Sequence, residues 1–139
     1  MQNIQPDERT EAFPTALQVQ RGASALGFDW PDITGVLEKV EEELLELRAA
    51  VREGDTVHAA SELGDLLFAA VSVARFLHVD PPQCLQDATA RFQARLERVK
   101  AIAAEQGIHL ASCTPEALDD LWEQAKRLMR QQLENDLDN

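Results

Sequence analysis

The sequence predicts an all-α fold, a bundle of about five helices. With 139 residues, the chain has about the length of one domain. Its six glycines and six prolines fall mostly between long stretches of helix-forming residues. No segment alternates apolar and polar residues with the period of a strand. We therefore expect one domain over residues 1–139, with a core from about residue 15 to about 130 and frayed tails.

The first two helices are bounded by predicted stops. The first begins near residue 14 and ends near residue 26, where Gly27 can adopt the left-handed backbone that ends a helix. The second begins near Asp32 and ends at Gly54. Its apolar residues follow steps of four and three, which indicates a narrow buried stripe: Val36, Val40, Leu44, Leu47 and Val51.

Capping residues predict the other three helices. Asp55 can cap a third helix that ends near His78, and Asp80 followed by Pro81 predicts the start of a fourth, which ends at Gly107. Thr114-Pro115-Glu116 predicts the start of a fifth. We expect the last residues, 134–139, to fray.

The third helix is apolar on every side between Leu66 and Ala74, which is typical of a central helix. One domain has little chain to surround it, so we expect a homo-oligomer, either a dimer or a dimer of dimers. The apolar stretch is about half of the roughly 20 residues that a membrane span needs. We therefore expect no segment to cross a membrane.

The charge of the chain excludes some partners. Thirteen basic and 25 acidic residues give a net charge of −12, which disfavours nucleic-acid polymers and anionic membranes. Cys84 and Cys113 lack the Cys-x-x-Cys spacing, and the first residues lack the basic and apolar regions of a signal peptide. We expect a cytoplasmic protein with reduced thiols.

Two acidic pairs predict a metal site. Glu43 and Glu46 border the apolar stripe of the second helix, whereas Glu42 points further into solvent. Glu62 and Asp65 are three residues apart and project from one side of the third helix. Four carboxylates in one cleft suit Mg²⁺ or Mn²⁺. The alternative is a solvated acidic face together with a carboxylate pair near a helix N-terminus.

Histidine spacing argues against other metal centres. His58, His78 and His109 form no zinc-binding motif, and we expect each at the surface or in a hairpin. Both acidic pairs also lack the Glu-x-x-His pattern of di-iron bundles.

The residues from Glu42 to Glu46, followed by those from Glu62 to Asp65, resemble the EExxE…ExxD signature of the MazG family of all-α nucleoside triphosphate pyrophosphohydrolases. The resemblance extends over about residues 15 to 130. Further blocks carry it in the expected order: Gly27–Asp32, Val36–Val40, Glu62–Phe68, and Leu121-Trp122 with Lys126.

This resemblance implies hydrolysis of nucleoside triphosphates, noncanonical ones included, between the α and β phosphates, with Mg²⁺ or Mn²⁺ as cofactor. By position, it implies that Glu43, Glu46, Glu62 and Asp65 are the metal ligands. Glu42 would support them or activate water. The metal would neutralise the triphosphate, lower the pKa of the attacking water and stabilise the leaving pyrophosphate.

Basic residues of the last two helices are candidates for binding phosphate. Arg91, Arg95 and Arg98 form a row at helical spacing, and Lys126 lies on the fifth helix. The alternative for the row is an exposed face paired with Glu97 and nearby acidic residues.

Aromatic residues are candidates for stacking on a nucleobase. They are Trp30, with Phe28 beside it, and Trp122, although such residues also serve as helix staples or core.

Other functions remain open from the sequence. Dimeric dUTPases and phosphoribosyl-ATP pyrophosphohydrolases share the acidic helix pair, so the chemistry is better defined than the substrate. The Gly27-Phe28-Asp29-Trp30 block favours MazG. A non-catalytic helical module that binds nucleotide or a protein, and a purely structural bundle, are the alternatives to an enzyme.

Overall fold

The computed structural model describes residues 11–138, and in that range the chain is all α-helical, without strands. This confirms the predicted fold class; the predicted N-terminal tail lies outside the described residues. A short 3-10 turn, Leu110–Ser112, precedes the last helix. The five helices are α1 (Ala12–Ala25), α2 (Ile33–Glu53), α3 (Thr56–Phe76), α4 (Pro81–Gln106) and α5 (Pro115–Leu137).

The predicted limits of α2 are confirmed. The side chain of Asp32 accepts a hydrogen bond of 2.8 Å from the backbone N–H of Thr34, which satisfies one free donor of the first turn. Gly54 ends the helix with a φ of +74°, and Gly27 follows α1 with a φ of +84°. Both glycines therefore supply the left-handed backbone that the sequence predicts there.

Side-chain caps also begin α3 and α5. Asp55 accepts a hydrogen bond of 2.9 Å from the N–H of His58, and Thr114 accepts one of 3.2 Å from Ala117. At its other end α5 extends to Leu137, and the fraying of residues 134–139 stays a prediction. Helix-forming Gln, Leu and Glu side chains account for the extension.

The chain forms two compact units, one up to Cys84 and one from Leu85. In the first unit, α3 packs mainly against α2 and also against α1. Burial of small and branched side chains allows these helices to approach closely. The core residues of this unit are Leu17, Val36, Ala50, Ala69, Val71 and Ala74.

The second unit has a separate core between α4 and α5. Its centre consists of Val99, Ile102, Leu121 and Ala125. Leu110, Cys113 and Trp122 pack around that centre. The 3-10 turn thus contributes to the core through Leu110.

The apolar character of α3 extends to its exposed sides. Leu63, Leu67 and Phe68 are each about half exposed, although Ala69 and Val71 on the same helix are buried. By length and composition alone, α3 is apolar enough to cross a membrane, as core helices of soluble proteins also are. In the first unit it packs against α1 and α2.

Candidate metal centre

Three of the four predicted ligands meet between α2 and α3. One carboxylate oxygen from each of Glu43, Glu62 and Asp65 lies within 4.8 Å of the other two. The connection between the helices is short, and Glu43 and Asp65 lie about equally far from it along the chain. The spacing of three residues places Glu62 and Asp65 on one side of α3. The packed helix pair therefore brings the carboxylates together.

Burial makes two of these three carboxylates unusual, whereas Asp65 is exposed. The side chains of Glu43 and Glu62 are only 6% and 12% exposed, and in each the Oε2 atom is buried without a hydrogen-bond donor. An unsatisfied buried carboxylate oxygen costs at least about 1–3 kcal/mol. Oxygen ligands of this kind are those that Mg²⁺ and Mn²⁺ prefer. The donor set therefore fits a hard divalent cation.

Glu46, the fourth predicted ligand, lies beside the group rather than among the three closest side chains. A hydrogen bond with Glu62 raises the pKa of the Glu46 carboxyl, and desolvation and the charges of Glu43, Glu62 and Glu42 raise it further. Like charges around one point disfavour ionisation. The site is thus strongly electronegative in the absence of a cation.

Glu42 lies at the edge of this site, as predicted. Its side chain is 56% exposed, and its Oε2 is 3.4 Å from the ammonium of Lys39. The same ammonium lies 2.7 Å from Oε1 of Glu43, and this hydrogen bond raises the pKa of Lys39. Lys39 precedes Glu43 by one helical turn, a spacing that signals the contact in the sequence although the contact was not predicted.

A second basic side chain contacts the acidic group from α3. The Nε2 atom of His58 lies 2.9 Å from Oε1 of Glu62. The predicted surface position of His58 is confirmed, because 49% of its side chain is exposed. Its contact with Glu62, four residues further along the same helix, was not predicted.

Trp30 is fixed against the start of α2. A Cβ atom at Gly35 would lie 3.0 Å from Cε3 of Trp30, so the indole rests on the glycine backbone. Trp30, Phe28 and Phe68 line an open pocket of about 430 Å³, with Ser72 among its polar groups. Phe68, which lines this pocket, follows Asp65 of the acidic group by about one turn of α3.

A polar network holds the connector that carries Trp30. The Arg75 guanidinium donates to both carboxylate oxygens of Asp29, at 2.6 and 2.9 Å, and to Oε1 of Gln20 at 3.2 Å. Gln20 in turn donates to the backbone oxygen of Phe68. The guanidinium holds the pKa of Asp29 well below its usual range. The connector, α1 and α3 are thereby joined.

The remaining predicted substrate-binding residues belong to the second unit. The Arg95 guanidinium lies 5.7 Å from the centre of the Trp122 ring, and the Phe92 ring is 5.2 Å from the Trp122 ring. Trp122 is thus at least partly a packing residue in its own unit. Arg91 is exposed.

The charged residues on the surface of this unit form ion pairs and hydrogen bonds mainly with neighbours outside the arginine row. Glu97 pairs with Lys100 at 2.8 Å, and Arg98 donates to Gln132 at 3.0 Å. Lys126 is 3.1 Å from Glu123, one turn earlier on α5. Glu97 therefore pairs with Lys100 rather than with an arginine of the row, and the role of the row stays a prediction.

A known protein family matches the part of the chain that contains the acidic residues. The family model for phosphoribosyl-ATP pyrophosphohydrolase matches residues 7–92. This range includes Trp30 and all four predicted metal ligands, and it ends before Arg95, Trp122 and Lys126.

Named relatives are similar over most of the chain. The nucleoside triphosphate pyrophosphohydrolase/pyrophosphatase MazG of Thermotoga maritima is 43% identical over 115 residues, which is 83% of this chain and 44% of the relative. The nucleoside triphosphate pyrophosphohydrolase of Escherichia coli K12 is 34% identical over 118 residues, 84% of this chain and 45% of the relative. This chain therefore spans somewhat less than half the length of these relatives.

Proposed function

Because the chain belongs to the MazG-like, phosphoribosyl-ATP pyrophosphohydrolase family, we propose that it hydrolyses nucleoside triphosphates between the α and β phosphates. The products are a nucleoside monophosphate and pyrophosphate. The observation that carries this proposal is the convergence of Glu43, Glu62 and Asp65, with two buried carboxylate oxygens that lack donors.

The cofactor in this proposal is Mg²⁺, with Mn²⁺ as a substitute. Glu43, Glu62 and Asp65 hold the ion, and Glu46 completes the set from its position beside Glu62. When bound, such an ion neutralises phosphate charge and acidifies water. Glu42, exposed at the edge, acts in water activation or in support of the ligands.

The rest of the substrate is bound by groups that the sequence predicts. Trp30 stacks on the base, a role supported by the aromatic pocket, whose Phe68 follows Asp65 by about one turn. Trp122 is a second candidate for stacking. Arg91, Arg95 and Lys126 bind the outer phosphates, a role that their basic side chains on the last two helices support.

The substrate class has a narrower alternative. The matching family model is named for phosphoribosyl-ATP, whereas the two named pyrophosphohydrolase relatives act on nucleoside triphosphates by name. Noncanonical nucleotides, dUTP and phosphoribosyl-ATP therefore belong in one substrate panel.

We also propose that the protein works as a homodimer or a dimer of dimers in the cytoplasm. The half-exposed Leu63, Leu67 and Phe68 on the otherwise central α3 support the oligomer, because a second copy would cover them. The free thiols of Cys84 and Cys113 are compatible with a reducing compartment. A single domain that includes both compact units remains the prediction from length.

Pyrophosphate release tests the proposed function. Wild-type protein, Glu46→Gln and Asp65→Asn are incubated with the panel and Mg²⁺ or Mn²⁺. We expect the wild type to cleave one class of triphosphate. In Asp65→Asn the rate of pyrophosphate release should fall by about a hundredfold or more. If no nucleotide is cleaved although nucleotides raise the melting temperature, the protein is a binding module and the proposal fails.

A further inference from the structure

Both buried carboxylates of the candidate metal centre are held in the same way. Lys39 contacts Oε1 of Glu43 at 2.7 Å, and His58 contacts Oε1 of Glu62 at 2.9 Å. In each case the basic residue precedes the glutamate by four residues on the same helix. The arrangement on α2 is thus repeated on α3 with a different basic side chain.

The other oxygen of each glutamate is left free. Oε2 of Glu43 and Oε2 of Glu62 are both buried and have no hydrogen-bond donor. A carboxylate can rotate about its last bond and exchange its two oxygens. A donor bound to Oε1 limits that rotation and so keeps the buried Oε2 in place.

We infer that Lys39 and His58 are positioning residues, which hold Glu43 and Glu62 so that one oxygen of each faces the divalent cation. This inference rests on the proposed function, because it requires the ion. Outer donors of this kind orient metal ligands in other proteins. For His58, the neutral imidazole with its proton on Nε2 is sufficient, since that tautomer donates to the carboxylate.

The competing explanation for Lys39 is charge neutralisation alone. An ammonium near the ion repels it, so a lysine that serves only as a counter-ion should weaken metal binding. Its removal would then tighten the metal. Positioning predicts the opposite sign, and His58 provides an independent test on the other helix without a required charge.

Calorimetric titration with Mn²⁺ in the absence of nucleotide measures the effect. We expect Lys39→Met and His58→Leu each to weaken Mn²⁺ binding by about tenfold. Lys39→Arg and His58→Gln keep a donor and should recover most of the affinity. Lys100→Met is the matched control, because it removes a similar ion pair, 2.8 Å to Glu97, in the second unit.

The outcomes separate this inference from the proposed function. If the wild type binds no Mn²⁺, the proposed metal centre fails and the inference with it. If the wild type binds Mn²⁺ but Lys39→Met or His58→Leu binds it equally or more tightly, the proposed function stands and the positioning role is overturned. Melting temperatures in chelator identify any variant that fails to fold. If one variant does not fold, the Mn²⁺ affinity of the variant on the other helix tests the inference.

Discussion

At the scale of single residues, the clustered carboxylates of the acidic centre destabilise the folded protein without a cation, although the proposed function requires them. Glu62 is nearly buried, touches Glu46 and lies close to Glu43 and Asp65, so its charge is unfavourable when no cation is present. The hydrogen bond from His58 reaches only one of its oxygens. A bound cation would compensate for this repulsion.

This conflict predicts opposite effects of Glu62→Gln with and without metal. In chelator, the variant should melt at the same temperature as the wild type or higher, because one negative charge is removed. With Mn²⁺ at about 100 times its dissociation constant, the wild type should gain about 2.7 kcal/mol and the variant much less. Thermal unfolding measures both. Equal stabilisation of the two proteins by Mn²⁺ would contradict the assigned ligand role.

The pair between Asp29 and Arg75 predicts a dependence of stability on pH. Its effect on Asp29 is to lower the pKa in the folded state, so the pair stabilises the protein above the unfolded-state pKa of about 3.9 and is lost as the pH falls below it. Asp29→Asn should cost about 1 kcal/mol at pH 7. Urea unfolding should show that difference unchanged from pH 7 to about pH 5 and smaller below about pH 4.

A difference between wild type and Asp29→Asn that grows on acidification would contradict this account. Asp32→Asn is a suitable comparison. It changes another aspartate near the connector, and Asn retains an oxygen that can accept the N–H of Thr34.

At the scale of helices, local chemistry made the elements predictable. Asp32, Asp55 and Thr114 cap helices as expected, and Gly27 and Gly54 have the predicted left-handed backbone. These signals depend on neighbours in sequence. The end of α5, which extends to Leu137, carries no stop residue, only helix-forming side chains.

Substitution of alanine for glycine should have opposite effects on stability at two positions. Gly54 has a φ of +74°, so Gly54→Ala should cost about 1 kcal/mol through backbone strain. Gly22 lies inside α1, and a Cβ atom added there would meet no neighbouring atom within 4 Å. Gly22→Ala should therefore stabilise the protein by about 0.5–1 kcal/mol. Chemical denaturation of both variants measures the difference. Stabilisation by Gly54→Ala would contradict the assigned helix stop.

The acidic centre was only partly predictable from helical spacing. A helical projection placed Glu43 and Glu46 on the same flank of α2, but only Glu43 is buried and lies among the three closest carboxylates. The difference depends on where α2 and α3 touch, which spacing within one helix does not contain. The roles of Lys39 and His58 were missed for a related reason, since each binds a glutamate whose burial comes from the other helix.

At the scale of the whole molecule, α3 combines buried and exposed apolar side chains. Val71 and Ala74 are buried within the chain, yet Leu63, Leu67 and Phe68 are about half exposed. An apolar helix that is only partly covered favours association. Leu63, Leu67 and Phe68 all lie in the first compact unit.

The proposed oligomer predicts a mass above 15.5 kDa in light scattering. Leu67→Glu should lower that mass, because a charge in an apolar interface is costly. Leu26→Glu, at a residue that is 87% exposed after α1, should leave the mass unchanged. A wild-type monomer of 15.5 kDa would contradict the proposal.

Product analysis distinguishes cleavage between the α and β phosphates from cleavage at the terminal phosphate. Wild-type protein and Asp65→Asn are incubated with Mg²⁺ and a triphosphate that the wild type hydrolyses. The nucleotide and phosphate products are then separated by ion-exchange chromatography. We expect equal amounts of monophosphate and pyrophosphate from the wild type, and almost none from Asp65→Asn. Formation of diphosphate and free phosphate, or full activity in Asp65→Asn, would contradict it.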